Sequence, residues 1–179
     1  MDWLRNRRRV NLLGFGACVA LMAYALYAEL VLGLEPCPLC VFQRLAVIAL
    51  GLVFLVAALH HPRGRLAARL YAGALALAAG SGIAIAGQHV RLQNLPADQV
   101  PACGPGLDFM LDVFPLHEAI AMVFTGSGEC AEIDWALLGL SMPAWVLLAC
   151  LGLGLFGVLG NWLGASGTTD HTPAGRALP

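Results

Sequence analysis

Four apolar runs dominate this chain, each close to or beyond the ~20 residues needed to cross the ~30 Å hydrocarbon core of a bilayer. They are Val10 to Leu32, Val41 to Leu59, Leu70 to Val90, and Trp135 to about Gly160. In lipid a lone segment must satisfy its own backbone hydrogen bonds, so each run is read as a helix. Hydrophobic residues make up 59% of the 179 residues and charged ones 12%, with a mean hydropathy of +0.77, which excludes a soluble globular domain. The expected architecture is an all-α membrane protein, an antiparallel four-helix transmembrane bundle forming a single four-span domain over residues 1–165. Residues 166–179, with Thr168, Thr169, Pro173 and Gly175, read as a disordered tail.

Charge gives the topology. Every basic residue is an Arg, and Arg5, Arg7, Arg8 and Arg9 precede the first run while Arg63, Arg65 and Arg69 lie between the second and third. The positive-inside rule puts both regions, and both termini, in the cytoplasm. The loops at 33–40 and 91–134 then face outward, carrying one Arg, Arg91, against eight acids. Trp3, Tyr71 and Trp162 fall near the inner boundary and Tyr24, Tyr27 and Trp135 near the outer one, as interfacial aromatics do. A rival reading takes residues 1–25 as a signal peptide with Ala23-Tyr24-Ala25 as its cleavage site, but the apolar run continues past that point. No nucleic-acid partner is expected; the bilayer is the surrounding phase.

Six cysteines divide by this topology. Cys37, Cys40, Cys103 and Cys130 lie in the outward loops, whereas Cys18 and Cys150 are deep in the first and fourth runs, where a free Cys is a small packing residue. The Cys37-Pro38-Leu39-Cys40 spacing is that of thioredoxin-type redox pairs. That leaves Cys103 and Cys130 as the natural second pair. As a plain staple their loop would contribute about 3 to 4 kcal/mol. Gly126-Ser127-Gly128 just before Cys130 instead supplies a hinge, which favours a mobile relay cysteine. A zinc site from the four outward cysteines is disfavoured, because Cys103 and Cys130 lack the tight knuckle spacing.

Pro36 and Pro38 discourage helix before Cys37, so the dithiol is expected at the N-terminus of the second helix. There the helix dipole and unpaired N–H groups favour thiolate. At a rise of ~1.5 Å per residue Cys40 lies about 4.5 Å deeper than Cys37 and shares a face with Arg44. An Arg so placed either snorkels to headgroups or stabilises the Cys40 thiolate and a quinone carbonyl that gains charge on reduction. His89 ends the third run at the same boundary. It is either simply interfacial or a proton donor to the other carbonyl. In the second loop, 94–106 reads as irregular chain, and Pro115 as the starter of a short interfacial helix over Leu116 to Phe124.

Together these residues resemble the disulfide bond formation protein B family of bacterial inner-membrane thiol oxidases. The resemblance covers nearly the whole chain. Its most specific piece is Gly126-Ser127-Gly128-Glu129-Cys130-Ala131-Glu132 running through Trp135 into Gly139-Leu140-Ser141-Met142-Pro143-Ala144-Trp145. It implies that a reduced periplasmic DsbA-like partner attacks a Cys103–Cys130 disulfide at Cys103. Cys130 then passes the reducing equivalents to Cys37, and Cys40 delivers them to ubiquinone or menaquinone from the membrane pool, held near Arg44, His89 and Met142. Two other readings compete: a quinone reductase like vitamin K epoxide reductase, whose C-x-x-C would open the last helix rather than the second, and a disulfide-stapled scaffold without activity.

Overall fold

The computed structural model describes residues 6–62, 64–96, 98–102, 104 and 107–163. Arg5, Arg63, Cys103 and the 166–179 tail lie outside the described residues. Four long helices carry the fold: α1 (Arg7–Leu30), α2 (Pro38–His60), α3 (Arg65–Gln93) and, after the second loop, α6 (Met142–Leu163). All four are long and apolar enough to cross a membrane. α1 packs on α2, α2 on α3, α3 most extensively on α6, and α6 back on α1. Every neighbour runs antiparallel, so the ring is an up-down-up-down bundle.

Small residues let these helices approach. Phe54 of α2 is fully buried, and its ring occupies space left by Gly14 of α1 and Gly157 of α6. A Cβ at either glycine would stand 2.6 or 2.7 Å from that ring. Gly160 receives Val10 and Gly154 receives Ala79 in the same way. Lipid offers no hydrophobic drive between apolar helices, so close van der Waals fit of this kind is what holds them. At the end where α1 begins, Asn11 and Asn161 are fully buried and exchange amide hydrogen bonds of 3.2 and 2.9 Å. Arg7 donates to the Pro62 carbonyl at 2.8 Å there, and Arg69 lies 5.4 Å from the Trp162 ring.

The second loop covers the opposite end of the bundle. It forms α4 (Leu107–Val113), α5 (Leu116–Thr125), a 3₁₀ turn (Gly128–Ala131) and a small hairpin of β1 (Ala136–Leu137) and β2 (Leu140–Ser141). Ala119 and Val123 of α5 are buried with Met110 and Cys130 against Leu39, Ile85 and Leu92 of the bundle. Gln88 of α3 donates to the Phe124 carbonyl at 3.0 Å, and Ser141 to the Gln93 side chain at 2.6 Å. Gly126 turns with φ +87° directly over Leu92, where a side chain would meet that leucine. A hinge reading of this glycine therefore understates its packing role.

The helix boundaries differ from those read in the sequence, α3 starting at Arg65 rather than Leu70 among them, and two of the differences bear on the site. The last helix starts at Met142 rather than Trp135, because Leu138 and Gly139 both take positive φ (54° and 80°) and turn the chain through the hairpin. Pro143 then suits the first turn of α6. α3 runs three residues past Val90, to Gln93, so His89 is an interior helical residue and not a terminal one.

Candidate functional site

The dithiol lies where local sequence puts it. Cys37 is the N-cap of α2, in extended conformation, and its sulfur accepts from the Cys40 N–H at 3.3 Å, with Pro38 in the first turn. Proline lacks the N–H that would go unpaired there, so it starts the helix without loss. Cys37 and Cys40 are free thiols with sulfurs 3.0 Å apart.

The remaining site residues come from elsewhere in the chain. His89 of α3 is buried, with Nε2 3.8 Å from the Cys37 sulfur and Nδ1 2.9 Å from the Gln43 amide nitrogen. As placed, the Gln43 amide donates to Nδ1, which leaves the proton on Nε2, facing the sulfur. The 3₁₀ turn buries Cys130, and its sulfur, that of Cys37 and the His89 imidazole all lie within 4.8 Å of one another. A hydrogen bond with Cys37 and then burial push the Cys130 thiol well above the ordinary range, outweighing the hydrogen bonds it receives from Ser127. Cys103 is outside the described residues. Its neighbour Ala102 accepts from the Gly128 N–H at 3.3 Å.

Arg44 is held rather than free. Nη1 pairs with the Glu29 carboxylate and Nη2 donates to the Ala25 carbonyl at 3.3 Å, both on α1. Sequence reasoning gave neither Glu29 nor Gln43 a role of its own. Glu29 had a readable signal, being the sole acid within the first apolar run, where an ionisable residue calls for a partner. Gln43 had none, since nothing in the sequence indicates that it meets His89.

A cavity of about 940 Å³ opens beside these groups among α1, α2, α3 and α6. Cys37, Cys40, Arg44, His89 and Met142 line it, with apolar walls from Leu21, Met22, Val47 and Val146. Tyr24 and Trp135 stack edge to face at its rim, with ring centres 5.9 Å apart. Cys18 and Cys150 lie away from it, buried with Leu50 and Phe54. The space matches a large organic ligand: apolar walls predominate, and the loop residues Glu35, Glu129, Glu132 and Asp134 add carboxylates to the lining.

A bundle of membrane-crossing helices that opens one helix with a C-x-x-C pair, sets a third cysteine against it and faces an apolar cavity defines a multi-pass membrane thiol–disulfide protein. The comparisons narrow that class. Residues 7–160 match the family model described as "Disulfide bond formation protein DsbB", and the chain belongs to that family. It is 55% identical over 148 residues to disulfide bond formation protein B of Nitrosococcus oceani, covering 83% of this chain and 87% of that one. It is 51% identical over 159 residues to that of Methylococcus capsulatus, covering 89% and 96%. It is 53% identical over 141 residues to that of Chromohalobacter salexigens, covering 79% and 82%. Membership makes this a disulfide oxidoreductase of disulfide bond formation and sets aside the vitamin K epoxide reductase-like reading.

Proposed function

We propose that this protein re-oxidises a periplasmic DsbA-like dithiol and passes two electrons through its cysteines to a membrane quinone, ubiquinone or menaquinone. It would sit in the bacterial inner membrane with both termini cytoplasmic and the cysteine end periplasmic. The observation that carries the reading is the meeting of Cys130 with Cys37 beside a cavity lined by Cys40. A staple at 103–130 has no need to bring Cys130 to the C-x-x-C pair.

The exchanges balance as follows. The partner's thiolate attacks the Cys103–Cys130 disulfide at Cys103 and expels Cys130 as a thiolate, and the partner's second thiol then resolves the mixed disulfide, which frees Cys103 and leaves the partner oxidised. The Cys130 thiolate attacks Cys37, a Cys37–Cys130 bond forms, the Cys37–Cys40 bond breaks and Cys40 is released as a thiolate.

The cavity suits a quinone: its walls are mostly apolar, and Arg44 and His89 put donors on its border. When bound, a quinone would take up two electrons and two protons, the electrons leaving the reduced Cys40 and Cys103 as the Cys37–Cys40 and Cys103–Cys130 disulfides re-form. Arg44, oriented by Glu29 and the Ala25 carbonyl, would steady negative charge there. His89 faces Cys37 through Nε2 and would move a proton between that sulfur and the cavity. Met142, at the start of α6, would form part of the ring-binding wall.

Quinone reduction by the purified protein in detergent, driven by a reduced DsbA-like partner and followed by absorbance, tests this reading. Turnover should vanish in Cys40→Ser and in Cys130→Ser. Turnover that survives Cys130→Ser would reduce residues 103 and 130 to a staple, and no turnover with any quinone would return the scaffold reading.

A further inference from the structure

The trio formed by Cys37, His89 and Cys130 has a second chemical capability. We propose that the reduced protein binds one soft divalent cation, zinc being the representative case, through the Cys37 and Cys130 sulfurs and His89 Nε2. The donor set is two thiolates and an imidazole, which zinc prefers, and it is buried. The spacing is close to what the metal needs. Zn–S bonds of ~2.3 Å and Zn–N bonds of ~2.0 Å in tetrahedral geometry put neighbouring ligands roughly 3.6 to 3.8 Å apart. The Cys37 sulfur and Nε2 are 3.8 Å apart, and all three donors lie within 4.8 Å of one another. Closing the widest gap requires a shift of about 1 Å or less.

The sequence pointed away from zinc because it offered four cysteines with poor spacing. Among the described residues the fold sets two of them, Cys37 and Cys130, beside a histidine from α3. Gln43 supplies the outer partner that a ligating imidazole needs. Turning its amide over would present Oε1 to Nδ1–H in place of the present contact and free the Nε2 lone pair for the metal. Binding is not a redox step: two S–H bonds are lost, two metal–sulfur bonds form and two protons leave to solvent. Three protein ligands leave a fourth position for water. Because the metal occupies the two sulfurs that the proposed relay joins, zinc would stall that exchange. This consequence rests on the relay reading, whereas the binding itself does not.

The test is Co²⁺ titration of the full-length protein in detergent, fully reduced and freed of reductant under anaerobic conditions. One equivalent should give the thiolate-to-cobalt charge-transfer band and the ligand-field bands of a tetrahedral site. His89→Ala and Cys130→Ser should lose them, and Cys103→Ser should keep them. X-ray absorption of the zinc-loaded wild type, which needs no variant to fold, should count two sulfurs and an imidazole. No band in the wild type, three or more sulfurs at the zinc, or a band lost in Cys103→Ser and kept in His89→Ala would each overturn the proposal.

Discussion

The two ends of the bundle solve opposite problems with similar residues. Where α1 begins and α6 ends, buried polar groups face one another: Asn11 answers Asn161, Arg7 answers the Pro62 carbonyl, and Gly157 and Gly160 admit Phe54 and Val10. At the cysteine end, His89, Gln43 and Arg44 are also held by neighbours, yet all three border a 940 Å³ cavity. The buried polar groups of the first end, Arg7 Nε excepted, are spent on contacts between helices, whereas those of the second are held by neighbours and also border open space.

The contrast can be broken most severely at Cys37. Cys37→Ser should abolish quinone reduction, yet leave thermal unfolding near that of the wild type, because serine is a good N-cap and still accepts from the Cys40 N–H. A large drop in unfolding temperature would mean that Cys37 is chiefly structural.

Gly157→Val tests the closed end. Its side chain would meet the Phe54 ring, and overpacking of this kind should cost about 1–3 kcal/mol, read as a lower unfolding temperature in detergent. Phe54→Ala in the same chain should recover part of the loss, and independent, additive losses would show that the two do not share that space.

Asn161→Leu leaves Asn11 buried without its partner and should cost about 1 kcal/mol, the upper range for such bonds in membranes. The Asn11→Leu/Asn161→Leu double variant should cost less than the single one. Turnover per folded molecule should be unchanged in both, since neither asparagine borders the cavity. Glu29→Gln is the corresponding cut at the open end. It should leave the fold intact and raise the KM for quinone about fivefold, corresponding to ~1 kcal/mol of lost Arg44 orientation. An unchanged KM would remove Glu29 from the site.

The smallest effect concerns Cys130. Its raised thiol pKa means that, in the reduced protein, maleimide labelling at mildly alkaline pH should be slower than that of a free thiol of pKa ~8.5. The sign for stability follows. A group whose folded pKa is raised stabilises the reduced fold fully below the unfolded value, and that contribution is lost as pH climbs through the folded one. Labelling as fast as that of an exposed cysteine would contradict the burial and hydrogen bonding that hold it neutral.

Much of the site was legible residue by residue. The C-x-x-C pair and its place at a helix start follow from Cys37 and Pro38 alone. Arg44 was legible as a functional residue but not as the partner of Glu29, because i,i+4 spacing describes neighbours within a helix and says nothing of the helix alongside. His89 was legible as a residue near the boundary, yet its neighbours, Gln43 and Cys37, belong to another helix. The start of the last helix was misread because hydropathy does not register a turn made of Leu138 and Gly139, both as apolar as the helix that follows.

What the sequence determined by itself is the set of local consequences: four apolar lengths that must be helices in lipid, and a dithiol at a helix N-terminus. Each depends on residues within one or two turns of each other. The tertiary structure alone decided that Cys130 rests against Cys37 and His89, and that Arg44 is held by α1 at the edge of a cavity. Those contacts join segments distant in the chain, and only the close packing of glycine-lined helices and the seating of Gly126 over Leu92 bring them together.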